Sequence, residues 1–424
     1  MRPGGEGTEE GSGPMTEEQE NAAGGHAAAP MSPGALFLLF LKIGSTAFGG
    51  FMALISVVQN YAVERKKLLS PGDMLDGISL ATVLPGPVAV NVVAYVGYRV
   101  RGVKGALASA AGVILPSFLL IVLLSYAYFR FGQIPAAGRF FLGFIPAVAA
   151  IILAAAWNMG TKAITGVAEA VIALAAAGLL LGVGGLAVTV AIIVLSGLAG
   201  RLLFPVTASA PRSRDDGAVK RPVSGRKGGG TASRLIAAAG APLSAAPVLG
   251  FNGALLAKLL TVFGGMSILL FGGGYVFIPL IQQIVVDGHG WLTRQEFVDA
   301  IALGQVTPGP ILISAAFIGY KVAGLAGAAV ATIGIFTPPA LVMLLATRFL
   351  DRIKRSGSIK AGLRGIRPAV IGMIVAAGIM VGRTAPLTWA SALIFGASLI
   401  ALLRFKAETA WIVPLAGAAG LLLY

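Results

Sequence analysis

The stretch "LATVLPGPVAVN", Leu80 to Asn91, lies inside an apolar segment that otherwise has the composition of a membrane helix. Proline removes a backbone donor and clashes with the preceding helical turn, so Pro85 and Pro87 predict a break in the helix. In hydrocarbon an unpaired backbone group costs several kcal/mol, so such a break needs a reason. Because "VTPGPILI", Val306 to Ile313, repeats the motif, we interpret the break as a feature with a specific role in the fold.

The composition is that of a polytopic membrane protein. Of the 424 residues, 57% are hydrophobic and only 12% are charged, whereas soluble domains carry about 25% charged residues. The run from Ala170 to Gly200 holds no charge and is long enough to span a bilayer. The 59 glycines favour close helix packing and permit unwound backbone.

Composition also excludes several chemistries. The absence of cysteine excludes disulfides, thiolate metal sites and thiol nucleophiles, and the two histidines, His26 and His289, cannot form a multi-histidine metal site. We therefore expect no metal and no cofactor. The net charge of +15 comes mostly from residues between apolar spans, which indicates positive-inside topology rather than a nucleic-acid partner. No GxxxxGK[ST] motif is present, so the sequence contains no ATP-binding loop of that type.

Two polar stretches divide the chain. Residues 1–34 hold one arginine and six glutamates, a composition that predicts a disordered acidic tail. Residues 205–250 hold seven basic residues and two aspartates and include the stretch "SGRKGGGTAS". This composition predicts a basic cytoplasmic linker. Residues 35–204 and 251–424 are then a first and a second transporter repeat.

The two halves match one another in order. Pro85 and Pro308 lie 223 residues apart. The same offset pairs Phe48-Gly49-Gly50 with Phe271-Gly272-Gly273, Glu64 with Asp287, and Asp76 with Asp299. After a slip of one residue, Gly97-Tyr98 matches Gly319-Tyr320. This many ordered matches indicate a tandem duplication.

The positions of the basic residues favour one of two topologies. If every apolar segment crosses, Arg99, Arg101 and Lys104 face one side and the basic run 348–367 faces the other, against the positive-inside rule. If each PGP segment re-enters, all of these groups face the cytoplasm and the two repeats are antiparallel. One misread span elsewhere would also resolve the conflict. The predicted fold is all-α and polytopic, with two inverted repeats of about five spans each plus a PGP-containing broken or re-entrant helix, about 10–12 apolar segments in total.

The broken segments predict an anion site. The N-terminus of a half-helix exposes backbone donors and the positive end of the helix dipole, which bind oxyanions. Glycines beside it let the backbone approach a ligand closely. The predicted translocation residues are Lys42, Phe48, Gly49, Gly50, Pro85, Gly86, Pro87, Asn91, Phe271, Gly272, Gly273, Gln305, Pro308, Gly309 and Pro310.

Each candidate also has a plainer structural interpretation. The PGP motifs could be simple proline kinks, and the FGG glycines could serve helix packing alone. Lys42, costly inside a membrane, could extend to a nearby interface. Asn91 and Gln305 could pin helices rather than bind an anion. Glu64 and Asp287 could couple transport to protons or could be ordinary interfacial acids.

These motifs resemble those of a known family. The first half carries "AFGGF", "VERKKLL" and "LATVLPGPVAVNVVAYVGYRVRG"; the second carries "LFGGGYVFIPLI", "WLTRQEFVDAIALGQVTPGP" and "IGYKVAGLAG". In this arrangement the chain resembles the long-chain, two-domain chromate ion transporters. The resemblance covers nearly everything from residue 35 onward except the linker.

The resemblance implies a multi-pass protein of the inner membrane that exports chromate and confers chromate resistance, with sulfate as the competing tetrahedral dianion. A transporter of sulfate or another oxyanion, or an anion channel of the same fold, stays open as an alternative, as does a homo-oligomer. A membrane-embedded enzyme is the other class considered. It would need an intramembrane nucleophile or base with a partner, and the spans contain no histidine, cysteine or paired carboxylates.

Overall fold

The computed structural model describes residues 31–47, 50–132, 135–204, 252–270, 277–349 and 357–424, and these are almost wholly helical. The first repeat contains α1 Pro33–Thr46, α2 Gly50–Gln59, α3 Pro71–Val83, α4 Val88–Phe131, α5 Pro135–Leu142, α6 Phe144–Ala163, α7 Val167–Gly182 and α8 Leu186–Leu203. The second contains α9 Gly253–Ile268, α10 Phe277–Ile281, α11 Arg294–Val306, α12 Ser314–Thr347, α13 Gly357–Gly382, α14 Trp389–Arg404 and α15 Thr409–Leu423.

Helix length and composition agree with a membrane protein. Among the described residues, four helices are long and apolar enough to cross a bilayer, namely 88–131, 136–161, 311–347 and 361–382, and several shorter helices are also apolar. No β-strand occurs in these parts of the chain. The predicted all-α polytopic fold is therefore confirmed. The tail up to residue 30, the linker 205–250, Phe48, Gly49 and residues 271–273 lie outside the described residues, so what was predicted for them stays a prediction.

The helix breaks at both PGP motifs. In the first repeat α3 ends at Val83 and α4 begins at Val88. In the second, α11 ends at Val306, and a single 3-10 turn, Ile311–Ile313, leads into α12. Each break follows a well-capped helix, since the Ser70 side chain accepts from the Asp73 amide and Thr293 forms a capping box with Glu296. In each repeat the capping residue therefore fixes where the helix begins, and the PGP motif fixes where it ends.

Each break turns the chain back on itself. We call residues 71–100 the first hairpin and residues 294–323 the second hairpin. An ion pair between Asp73 and Arg99 closes the base of the first hairpin, and Glu296 and Lys321 do the same for the second at 2.7 Å. Each limb is about 13 residues and therefore about 20 Å long, which is shorter than the roughly 30 Å hydrocarbon core.

A second tight turn follows each hairpin. Non-helical backbone at Arg101 and Gly102, and at Ala323 and Gly324, folds the returning limb against the rest of the same helix. Gly97 lies on the carbonyl of Gly105, and Gly319 lies on that of Gly327 in the same way. A side chain at these glycines would meet backbone, so the close approach depends on small residues.

The long part of α4 connects the two hairpins. Residues 103–131 begin at the base of the first hairpin and run for about 44 Å. At their far end the Tyr128 hydroxyl donates to Asp299 of the second hairpin at 2.7 Å, and the Lys321 ammonium lies 4.9 Å from the centre of the Phe129 ring. The bases of the two hairpins therefore lie at opposite ends of one long helix.

The two hairpins differ in how they are covered. The second hairpin packs against α6 and α15, and the residues of α11 from Phe297 to Gln305 are all buried. On α3 the corresponding face stays open, with Leu75, Ser79 and Thr82 exposed. The duplication is thus symmetric in its local breaks and asymmetric in the helices that surround them.

Candidate functional site: the hairpin tips

The tip of each hairpin contacts the opposite repeat. The Gly86 amide donates to the Leu270 carbonyl, and the Gly309 amide donates to the Ala47 carbonyl at 2.9 Å. Ala47 and Leu270 occupy equivalent positions, each directly before the FGG motif of its own repeat. The two contacts are therefore reciprocal, and each PGP motif is hydrogen-bonded to the residue that precedes the FGG motif of the other half.

Only glycine suits the centre of each tip. Gly86 has φ of +103° and Gly309 has φ of +101°, in the region that side chains rarely adopt. A Cβ at Gly86 would run into the ring of Pro339, whereas one at Gly309 would lie 3.1 Å from Ser117 Oγ. Ser117 and Pro339 are again equivalent positions in the two long helices. Each tip therefore packs against the equivalent position in the long helix of the opposite repeat.

Several backbone carbonyls near the breaks accept hydrogen bonds from nearby residues. The Asn91 side-chain amide donates to the Pro85 carbonyl at 3.0 Å, and the Asn91 backbone amide donates to the Pro87 carbonyl at 2.9 Å. In the second hairpin Thr307 Oγ1 donates to the Gly304 carbonyl at 2.9 Å. Asn91 therefore pins the broken backbone, which gives it a structural role at the tip.

The α4 and α12 segments start without side-chain caps. Pro87 occupies the N-cap position of α4, and Pro310 that of the 3-10 turn before α12; neither supplies a side-chain acceptor. The first-turn amides of α4 thus keep the donors and partial positive charge that attract an oxyanion. A role for these donors in binding an oxyanion stays a prediction.

Two polar atoms near the breaks lack partners. Gln305 is 4% exposed and its Nε2 has no hydrogen-bond partner among the described residues, nor does Oδ1 of the fully buried Asn91. Buried polar atoms are nearly always satisfied, so orphaned ones mark a place where a ligand or water would bind. The unpaired donor of Gln305 suits an anion.

Other predicted residues lie elsewhere. Lys42 is exposed on α1, on the same face as Leu38 and Ser45. Gly50 begins α2 beside the undescribed Phe48 and Gly49. The structure therefore does not bring the Lys42 side chain into the buried region around Asn91 and Gln305.

The two predicted coupling acids lie at exposed helix ends. Glu64 accepts from Asn60 at 2.5 Å inside a π-helical turn, Asn60–Arg65. Asp287 lies 3.9 Å from Arg294, and it ends the equivalent π-helix, Gln282–Gly288. Neither acid is placed at a hairpin tip, and a coupling role for them stays a prediction.

One polar cluster was missed at the sequence level. Tyr128 and Asp299 meet across 171 positions of chain, and the pair adjoins a cavity of about 460 Å³ lined by Tyr128, Phe129, Gly132, Glu296, Tyr320 and Lys321. The repeat alignment singled out Asp299 as the counterpart of Asp76. No local pattern could pair it with a tyrosine in the other half.

Comparison with known proteins gives a consistent result. A family model described as chromate transporter matches residues 34–201 and 257–421, which lie on either side of the linker 205–250 and leave out all of it. The chain is 32% identical to a chromate transport protein of Pseudomonas aeruginosa over 414 residues, covering 93% of each chain. It is 29% identical to a chromate transport protein of Cupriavidus metallidurans, again over 93% of each.

A shorter relative matches only part of the chain. An uncharacterized transporter of Bacillus subtilis, YwrA, is 30% identical over 151 residues, which is 85% of that protein and 35% of this chain. No solved structure shows significant similarity to this chain. With two matched regions, broken helices in each, and relatives aligned over nearly their whole length, the chain belongs to the chromate transporter family.

Proposed function

We propose that the protein is a secondary transporter that exports chromate across the inner membrane and thereby confers chromate resistance. The observation that carries the proposal is the reciprocal contact of the two hairpin tips with the residues before the FGG motifs. It supports a single central region to which both repeats contribute helix breaks. We infer chromate as the cargo from the relatives, since two of them are named chromate transport proteins.

The chemistry at the tips suits a tetrahedral dianion. Uncapped first-turn amides and the Gln305 carboxamide offer neutral donors and dipole ends, without a lysine or arginine among the tip residues 84–91 and 305–314. Neutral donors bind an oxyanion while still allowing its release. Because sulfate has the same shape and charge, we expect it to compete with chromate at this site.

The arrangement of the hairpins supports inverted repeats. Their bases lie at opposite ends of residues 103–131, and each limb is too short to cross the bilayer. In this topology the first hairpin enters from the cytoplasm and the second from outside. Alternating access then follows from the movement of one repeat against the other around the tips.

Sidedness can be measured because the chain has no cysteine. We expect cysteines substituted for Lys104 and Arg348 to be labelled only from the cytoplasm, and a cysteine substituted for Arg294, at the base of the second hairpin, only from outside. Labelling with a membrane-impermeant maleimide on intact cells and on inverted vesicles reports each side. Labelling of Lys104→Cys and Arg294→Cys from the same side would contradict inverted repeats.

Membrane potential alone favours export of a dianion. Moving one charge through 100 mV is worth about 2.3 kcal/mol, so the outward movement of two negative charges from a negative interior gains about 4.6 kcal/mol. A carrier with neutral donors at its centre moves this charge with the ligand. Transport by this protein should therefore respond to an imposed potential.

Proteoliposomes test the cargo and the mode of transport. We expect uptake of labelled chromate to rise with a potential positive on the inside of the vesicle, and unlabelled sulfate to compete with it. Preloading with unlabelled chromate should stimulate exchange, which a channel would not show. Uptake of sulfate without chromate would make sulfate the cargo, and uptake of neither would reject the proposed function; protein-free vesicles are the control.

A further inference from the structure

We propose that Asp299 is a proton-binding site, and that its proton controls the attachment of the second hairpin to the long helix of the first repeat. Asp299 is 0% exposed. Its two carboxylate oxygens accept from the Tyr128 hydroxyl at 2.7 Å and from Gln295 Nε2 at 3.0 Å. Both donors are neutral, and no ion pair involving Asp299 occurs within the described ranges.

A carboxylate in this position is unusual. Burying an ionised carboxylate without a cation is costly, so acids within a membrane are by default functional candidates. The nearest cation on the returning limb, Lys321, is already paired with Glu296 at 2.7 Å. The simplest way to neutralise Asp299 is therefore to bind a proton.

The other charged groups of the neighbourhood leave this conclusion intact. Glu296 lies one turn away on the same helix, and its negative charge disfavours a second ionised acid. The π-helical turn that precedes α11 contributes Asp287, which faces Arg294. Of the helices packed on α11, α15 has no charged residue, and α6 has only Lys162, in its last turn. The end of α4 near Tyr128 carries Arg130, whose side chain is exposed.

Water has a route to the pair. The cavity of about 460 Å³ is lined by the Tyr128 side chain and by the Glu296–Lys321 ion pair. It lies at the base of the second hairpin, which faces outside in the proposed topology. Protons from that side therefore reach the Tyr128–Asp299 hydrogen bond without crossing the hairpin tips.

Proton binding would alter a contact between the repeats. The ionised carboxylate accepts from Tyr128 and Gln295 together and ties α11 to α4. When a proton binds to one carboxylate oxygen, that oxygen becomes a donor and the bond from Tyr128 weakens. In the second repeat the position that matches Tyr128 is Leu350, which has no hydroxyl.

The binding of the proton can be tested without any cargo. We expect infrared difference spectra of the purified protein, taken across a pH titration, to contain a protonated-carboxyl band that is absent in Asp299→Asn. Glu296→Gln is the matched control, because that acid lines the same cavity but is ion-paired. His289→Gln is a second control, since partial burial and the nearby Lys258 ammonium lower the pKa of His289. An unchanged titrating band in Asp299→Asn would overturn the proton site.

The coupling of the proton to transport rests on the proposed function and has a separate readout. One titrating group changes its occupancy about tenfold across the two pH units centred on its midpoint, so net oxyanion transport should change by on the order of tenfold across the pH range in which the carboxyl band titrates. Asp299→Asn should remove that dependence but keep the exchange of labelled for unlabelled oxyanion. Tyr128→Phe, which removes a donor to the ionised form, should move the pH midpoint upward.

The failure of the coupling role of Asp299 and the failure of the proposed transport function give different results. Loss of both exchange and pH dependence in folded Asp299→Asn would make Asp299 part of the oxyanion path and overturn the coupling role. Unaltered pH dependence in Asp299→Asn would overturn it as well. If the unmodified protein moves neither chromate nor sulfate, the proposed function fails, while the infrared result still decides the proton site.

Discussion

Replacement of both Pro85 and Pro87 by alanine is expected to abolish transport while the thermal stability of the protein stays normal or rises. Alanine is favoured over proline in a helix interior by about 3 kcal/mol per position. Residues 71–100 could then form one continuous helix of about 45 Å, long enough to cross the bilayer. The first-turn amides of α4 would be hydrogen-bonded inside the helix, and the tip would lose its donors.

The matched experiment uses a proline outside the hairpins. Pro414 lies inside α15, so Pro414→Ala should keep transport per folded molecule near that of the unmodified protein. Pro308→Ala with Pro310→Ala should behave like the first pair, because the second tip makes the reciprocal contact. The measurement is transport per folded molecule together with a melting curve for each variant. Unchanged activity per molecule in both double variants would reduce the PGP motifs to a packing device.

Gly86→Ala is expected to be markedly more damaging than Gly309→Ala. Both glycines have φ near +100°, so the backbone strain of an alanine, on the order of 1–3 kcal/mol, is common to the two variants. At Gly86 the added methyl group also meets the ring of Pro339, and such overpacking costs about 1–3 kcal/mol more. At Gly309 it meets Ser117 Oγ at 3.1 Å, and a small shift of that side chain relieves the contact.

The comparison is read from thermal melting and from transport per folded molecule. Gly178, in α7, has ordinary helical backbone, and a methyl group added there would meet nothing within 4 Å, so Gly178→Ala serves as the neutral control. Loss of transport is expected in both tip variants, because relief of the backbone strain at φ near +100° would rotate the amide that donates to the carbonyl of Leu270 or Ala47. Equal melting temperatures for the two tip variants would contradict the packing described at Pro339.

Local features of the fold were predictable because their causes are local. Two prolines that flank a glycine disfavour a continuous helix, so the breaks after Val83 and Val306 followed directly from the two PGP motifs. Charge-free apolar runs predicted helices in a membrane, and the matched order of motifs predicted the duplication. The cause of each feature lies within a few residues or in a simple repeat.

The structure shows where several of the predicted site residues lie, and their role in transport stays a prediction. Gly86, Gly309 and Gln305 are buried at the hairpin tips, and the amides of Gly86 and Gly309 donate to carbonyls of the opposite repeat. The exposure of Lys42 depends on which face of α1 is covered by α4, and composition alone left both faces open. The Asn91 side-chain amide donates to the Pro85 carbonyl, which is a structural role beside the translocation role predicted for it.

By itself, the sequence determined that this is a duplicated, all-helical membrane protein whose helices break at two prolines and a glycine in each half. The tertiary structure decided which groups meet at those breaks. The carbonyls of Leu270 and Ala47 receive the tip amides of the opposite repeat, and Tyr128 reaches Asp299 across 171 residues. Contacts of this kind arise from the packing of whole helices, because a free amide or a buried carboxylate accepts any partner of suitable geometry, and only the assembled fold selects one.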